Sequence, residues 1–177
     1  MAKRTPQDVL RRVLRVSAMN GWSVALFAGL CAVISLFLGQ LVGAGIGVLV
    51  TIGGVMELRG RRLLQQRDID GMRLLVRAQL LVLGVILVYA VSRLASFDGE
   101  AALGNETAEM RQLLNQSGID QDELMGLIKT VFYAMYSAVI VATVIYQGGM
   151  ALYYRRCTAA VRTAMTALPE VPPAPTA

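Results

Sequence analysis

The sequence of 177 residues contains no histidine. That absence removes imidazole proton relays, Ser-His nucleophilic pairs and histidine metal sites together. Cysteine is scarce, with only Cys31 and Cys157. One falls inside an apolar run and the other beyond the last such run, depths too different for the ~7 Å Cα spacing of a disulfide, so both read as free thiols. No glycine loop leads into a lysine as a phosphate cradle would: Gly43, Ala44, Gly45, Ile46 and Gly47 lie in an apolar stretch with no basic neighbour. Charge is sparse, at 16% of residues. No catalytic residue, metal ligand or cofactor is expected from what is left. Nor does the net charge of +5 come with any nucleic-acid-binding motif.

What the sequence does have is apolar length. From Val16 to Met56, about forty residues, there is no charged side chain. As helix this run would extend ~60 Å, twice the ~30 Å hydrocarbon core of a bilayer, so it must cross twice. Later apolar stretches add two more spans. A composition that is 55% hydrophobic fits lipid as the solvent better than water. The fold class is therefore all-α, an integral membrane four-helix bundle made of two helical hairpins.

Segment by segment, residues 1–16 read as a basic interfacial amphipathic helix. Thr5 is placed to cap it, Pro6 suits its first turn, Asp8 completes the cap, and Val9, Leu10, Val13 and Leu14 form its apolar face. Residues 17–56 form the first transmembrane hairpin, 57–73 a basic loop, 74–93 the third span, 94–129 an acidic helical loop, 130–154 the fourth span, and 155–177 a basic and then Pro/Ala-rich disordered tail. The first span is too long for the core of a secretory signal and runs directly into the second, so it reads as an anchor. Span three is short between Arg77 and Arg93, a deficit that snorkelling of both side chains can close.

Arginines orient these spans. Lys3, Arg4, Arg11, Arg12 and Arg15 precede span one; Arg59, Arg61, Arg62, Arg67, Arg73 and Arg77 follow span two; Arg155, Arg156 and Arg162 follow span four. The segment from Asp98 to Glu123 carries seven acidic residues and only Arg111. The positive-inside rule then puts both termini in the cytoplasm and the acidic loop outside, in a multi-pass protein of the cytoplasmic membrane. Within that loop, Thr107 to Gln116 is expected to form a short helix and Asp120 with Glu123 to start the next one.

Small residues recur at four-residue spacing: Gly21, Ala25 and Gly29; Gly39, Gly43, Gly47 and Thr51; Ala134, Ala138 and Ala142. Such ridges let helices approach closely, either inside one bundle or between copies in a homo-oligomer. The arginines Arg59, Arg61, Arg62, Arg67, Arg73, Arg77, Arg155 and Arg156 present a surface for anionic lipid headgroups or an acidic partner. Tyr133, Tyr136, Tyr146 and Gln147 are candidates for a polar lining along span four. Glu57 is expected to pair with Arg61 one turn later, at the membrane interface. The glycine pairs Gly53–Gly54 and Gly148–Gly149, each followed by arginines, would fit a duplicated hairpin. With no reactive group in a span, the expected function is that of a non-enzymatic accessory, scaffolding or self-associating membrane subunit. The alternative is an oligomeric transporter or pore.

Overall fold

The computed structural model describes residues 5–96 and 121–167. The helix expected within Thr107 to Gln116, and Asp120, lie outside the described residues. Every regular element among the described residues is helical: α1 Pro6–Phe37, α2 Leu41–Gln65, α3 Asp70–Ala95, α4 Gln121–Thr143, a π-helical turn Val144–Gly148, and α5 Gly149–Thr166. Four helices are long and apolar enough to cross a membrane, with α4, the π turn and α5 supplying the fourth. The chain is thus a multi-pass membrane protein by length and composition. In hydrocarbon each backbone N–H must be satisfied within its own segment, which is why a stretch as glycine-rich as α2 is helical at all.

Local signals set several of the ends. Thr5 accepts a hydrogen bond from the backbone N–H of Asp8 at 3.3 Å, and the two side chains bond each other at 2.6 Å, a reciprocal cap with Pro6 in the first turn. At the other end of α1, Gly39 takes φ +71°. Its N–H reaches the Leu36 carbonyl at 3.0 Å, and the Gln40 N–H reaches Ser35 at 2.8 Å. This left-handed closure turns the chain directly into α2. The same closure recurs after α2, where Arg67 holds φ 64° and the Asp68 N–H bonds the Leu63 carbonyl at 2.9 Å.

Helix boundaries do not coincide with membrane boundaries. The segment expected as a separate interfacial helix is the opening of α1, continuous with the first span. α2 continues through the arginines to Gln65 and α3 begins at Asp70, so the expected loop of residues 57–73 shrinks to Gln66–Ile69. α5 likewise carries helix past Arg155 to Thr166.

Packing divides the chain into two units, Met1–Val85 with Tyr146–Ala177, and Ile86–Ile145. In the first, the large buried side chains Val13, Leu64, Met72, Leu75, Tyr154 and Val161 form one cluster contributed by α1, α2, α3 and α5. Val9, Leu10 and Leu14 pack against it, so the apolar face of the amino-terminal turns meets protein, while Arg11, Arg12 and Arg15 stay exposed. The cluster sits among the basic ends of the helices. Toward the Phe37–Leu41 turn the contacts are between small residues instead, and the large side chains Phe27, Leu30, Phe37 and Val42 are exposed, as lipid-facing positions would be.

Close approach of α1 and α2 depends on that small-residue seam. A methyl group on Gly47 would lie 2.8 Å from Ala32 Cβ, and one on Gly54 would lie 2.7 Å from the backbone nitrogen of Ala25. Gly21 faces Leu58 and the Gly54 carbonyl, Gly43 faces Ser35, and Gly29 faces Thr51 at ordinary contact distance. Gly53 approaches Val82, and Gly60 and Gly71 approach each other across α2 and α3. Gly148 and Gly149 have open space where Gly53 and Gly54 have neighbours, so the two glycine pairs do not play equivalent parts.

In the second unit, Tyr89 and Tyr136 meet edge to face at 6.3 Å, Phe132 lies 4.6 Å from Tyr136, and the Tyr133 hydroxyl reaches the Leu94 carbonyl at 3.5 Å. Ala134, Ala138 and Ala142 are exposed.

Candidate functional site: a buried carboxylate among the helices

Glu57 does not pair with Arg61. It is 1% exposed and points inward, and the one ion pair among the described residues joins Arg73 to Asp70 at 3.0 Å. The expectation fails because of helix register. Buried positions on the basic half of α2 are Gly53, Gly54, Glu57, Gly60 and Leu64, so Glu57 stands on the stripe that faces the other helices. An exposed Arg61–Glu57 pair would need the carboxylate on a surface that α2 does not present there.

Each carboxylate oxygen has a partner from a different helix. The Asn20 amide of α1 donates to Oε2 at 2.6 Å, and the Tyr154 hydroxyl of α5 donates to Oε1 at 2.5 Å. Gln79 of α3 is buried beside the same carboxylate. The network goes one step outward, since the Tyr146 hydroxyl donates to Asn20 Oδ1 at 2.8 Å. One carboxylate thus links α1, α2 and α5, with Gln79 of α3 alongside, and through Asn20 it reaches the π turn.

Position along the helix explains why this knot is needed. Glu57 lies sixteen residues past Leu41, about 24 Å along the axis, near the far edge of a ~30 Å hydrocarbon core. A carboxylate there without partners would cost several kcal/mol. Gathering two donors offsets that cost and fixes the relative rotation of the helices supplying them. The π turn takes part directly: it holds Tyr146 at Asn20 and buries Gln147. Insertions of this kind re-aim side chains within an otherwise regular helix. Two buried acceptors, Gln79 Oε1 and Gln147 Oε1, have no hydrogen-bond partner.

The four residues read as a polar lining separate into two environments. Tyr146 and Gln147 belong with the Glu57 knot, whereas Tyr133 and Tyr136 belong to the aromatic group of the second unit. Of the arginine set, Arg59, Arg62, Arg67, Arg73, Arg77, Arg155 and Arg156 are exposed and Arg61 is half-buried. Cys31 and Cys157 are free thiols. Among the described residues no group of three or more acidic or cysteine side chains is placed to hold a metal ion.

The partnership of Asn20 and Gln79 with Glu57 was not anticipated from the sequence. A signal was present: Gly53, Glu57, Gly60 and Leu64 follow the three-to-four spacing of one helix face, and glycines on that face mark close approach. Comparison with protein-family models, curated proteins and solved structures finds no match.

Proposed function

We propose that this chain is a non-enzymatic membrane subunit that works by lateral association, its four spans forming one bundle with both termini on the cytoplasmic side. The carrying observation is the state of Glu57. It is the only buried charged residue among those described, and both its oxygens are engaged by side chains of neighbouring helices. A carboxylate committed in this way fastens helices together and does not stand open to a substrate. The same commitment weighs against ion- or proton-coupled transport through Glu57, which needs an ionisable group able to exchange partners along a path.

Support for association comes from how the small-residue ridges are used. Those of α1 and α2 meet each other, through Gly29 with Thr51, Gly47 with Ala32 and Gly54 with Ala25, except that Gly39 lies in the turn with nothing within 4 Å and takes no part in the packing. The ridge of Ala134, Ala138 and Ala142 stays exposed. It offers a second copy, or a different membrane subunit, a surface smooth enough for close packing. The basic ends of the helices would anchor the assembly at anionic headgroups.

Cysteine placed at Ala138 in a Cys31→Ser, Cys157→Ser background tests this reading. Mild oxidation in native membranes is expected to give a disulfide-linked species, a dimer or an adduct of larger mass. The same experiment with cysteine at the exposed Val88 is expected to give little. Equal crosslinking at both positions, or none at either, would contradict association through the alanine ridge.

A further inference from the structure

On its lipid-facing side the α1–α2 pair carries a groove of about 370 Å³, bordered by Gly29, Ala32 and Val33 of α1 and by α2 from Val48 to Arg59. Its walls are apolar. Even Thr51 presents no free donor there, because its hydroxyl bonds the Gly47 carbonyl at 2.7 Å. The groove follows α2 for about 16 Å, from Val48 to Arg59, the direction a lipid tail takes in a bilayer.

At its basic end the groove changes character. Met56 and Arg59 also border a second pocket of about 500 Å³, shared with α3, which contains Arg73, Arg77 and Asp70. Asp70 is matched by Arg73 at 3.0 Å, so the guanidinium groups of Arg59 and Arg77 leave the pocket with an excess of two positive charges. All three arginines are exposed. An apolar slot that ends in an arginine-lined recess near the far edge of the hydrocarbon core is complementary to one class of molecule: a tail joined to an anionic phosphate. Arginine is suited to phosphate through its planar fork of donors.

We propose that this groove and the adjoining recess form a binding site for one anionic glycerophospholipid, with an acyl chain along Val48, Ile52 and Val55 and the phosphate held between Arg59, Arg73 and Arg77. The site needs only the membrane setting. It stands independently of lateral association, and either can fail without the other.

The test is native mass spectrometry of the full chain released from mild detergent after exchange into phosphatidylglycerol or phosphatidylcholine, which reads chains per particle and lipids per chain separately. One phosphatidylglycerol per chain is expected to survive activation that strips phosphatidylcholine. Arg59→Gln and Arg77→Gln are each expected to lower its retention about fivefold, while Arg155→Gln, outside the recess, leaves it within about twofold. Val48→Trp should fill the slot and displace the lipid with the arginines intact. Val55→Phe serves the same purpose if the tryptophan variant fails to fold, as judged by circular dichroism. Millimolar inorganic phosphate should not displace the lipid. Equal losses in the Arg59, Arg77 and Arg155 variants would overturn the site in favour of diffuse attraction to charge. Undiminished retention with the slot filled, or displacement by phosphate alone, would overturn it in favour of a headgroup patch without a seat for the tail.

Discussion

Glu57→Ala is expected to lower the midpoint of thermal unfolding in mild detergent by roughly 10 °C, the largest effect of any single truncation in the chain. The substitution removes the shared acceptor of Asn20 and Tyr154 in one step. Each buried donor left without a partner costs ~1–3 kcal/mol, so losing the acceptor of both gives a total of about 3 kcal/mol. Glu57→Gln keeps the shape and one good acceptor oxygen, and its expected loss is only about 1 kcal/mol. Circular dichroism melts of the two variants side by side check the pair. An alanine variant as stable as the glutamine variant would mean that the carboxylate holds nothing together.

Gly54→Val is the second large effect. The added Cβ would lie 2.7 Å from the Ala25 backbone nitrogen and 3.0 Å from its Cα, and backbone cannot rotate aside as a side-chain tip would. α1 and α2 must separate, at a cost of about 3 kcal/mol from the clash alone. Separation there also lengthens the Asn20–Glu57 bond, because Asn20 and Glu57 are within about one turn of the Gly21–Gly54 contact. Gly45→Ala is the matching control on the same helix. No atom lies within 4 Å of its added methyl group, and the change is expected to leave stability unaltered or raise it by up to about 1 kcal/mol. Unfolding in mixed micelles, followed by circular dichroism, separates the two. Similar stabilities for Gly54→Val and Gly45→Ala would contradict the seam.

The spans and the Thr5 cap were legible in the sequence, because each rests on a local property: apolar length, and a side chain within reach of its own helix end. The extent of the helices was not. Hydropathy marks where lipid ends, and the arginines, leucines and glutamine from Arg59 to Gln65 are good helix formers that, despite Gly60, continue α2 beyond that point until Arg67 turns the chain.

Glu57 was the most misleading residue for a related reason. As the first charge after an apolar run it has the profile of an interfacial residue, and Arg61 four positions on supplies an obvious local partner. Which way it faces is decided by partners 37 and 97 residues away in the chain, Asn20 and Tyr154, and no local pattern encodes them. The contribution of Tyr146 depends on the π turn, whose extra residue per turn defeats any reading based on regular helical spacing.

The claim on which the rest depends is that the Glu57 carboxylate and the Tyr154 hydroxyl, from α2 and α5, form one buried unit. A double-mutant cycle of Glu57→Gln and Tyr154→Phe, measured as unfolding free energy in mixed micelles, tests it most directly. The expected result is a coupling energy of at least about 1 kcal/mol, since the second substitution costs little once the first has weakened the bond. Losses that simply add, within about 0.3–0.5 kcal/mol, would show that the two side chains do not act on each other.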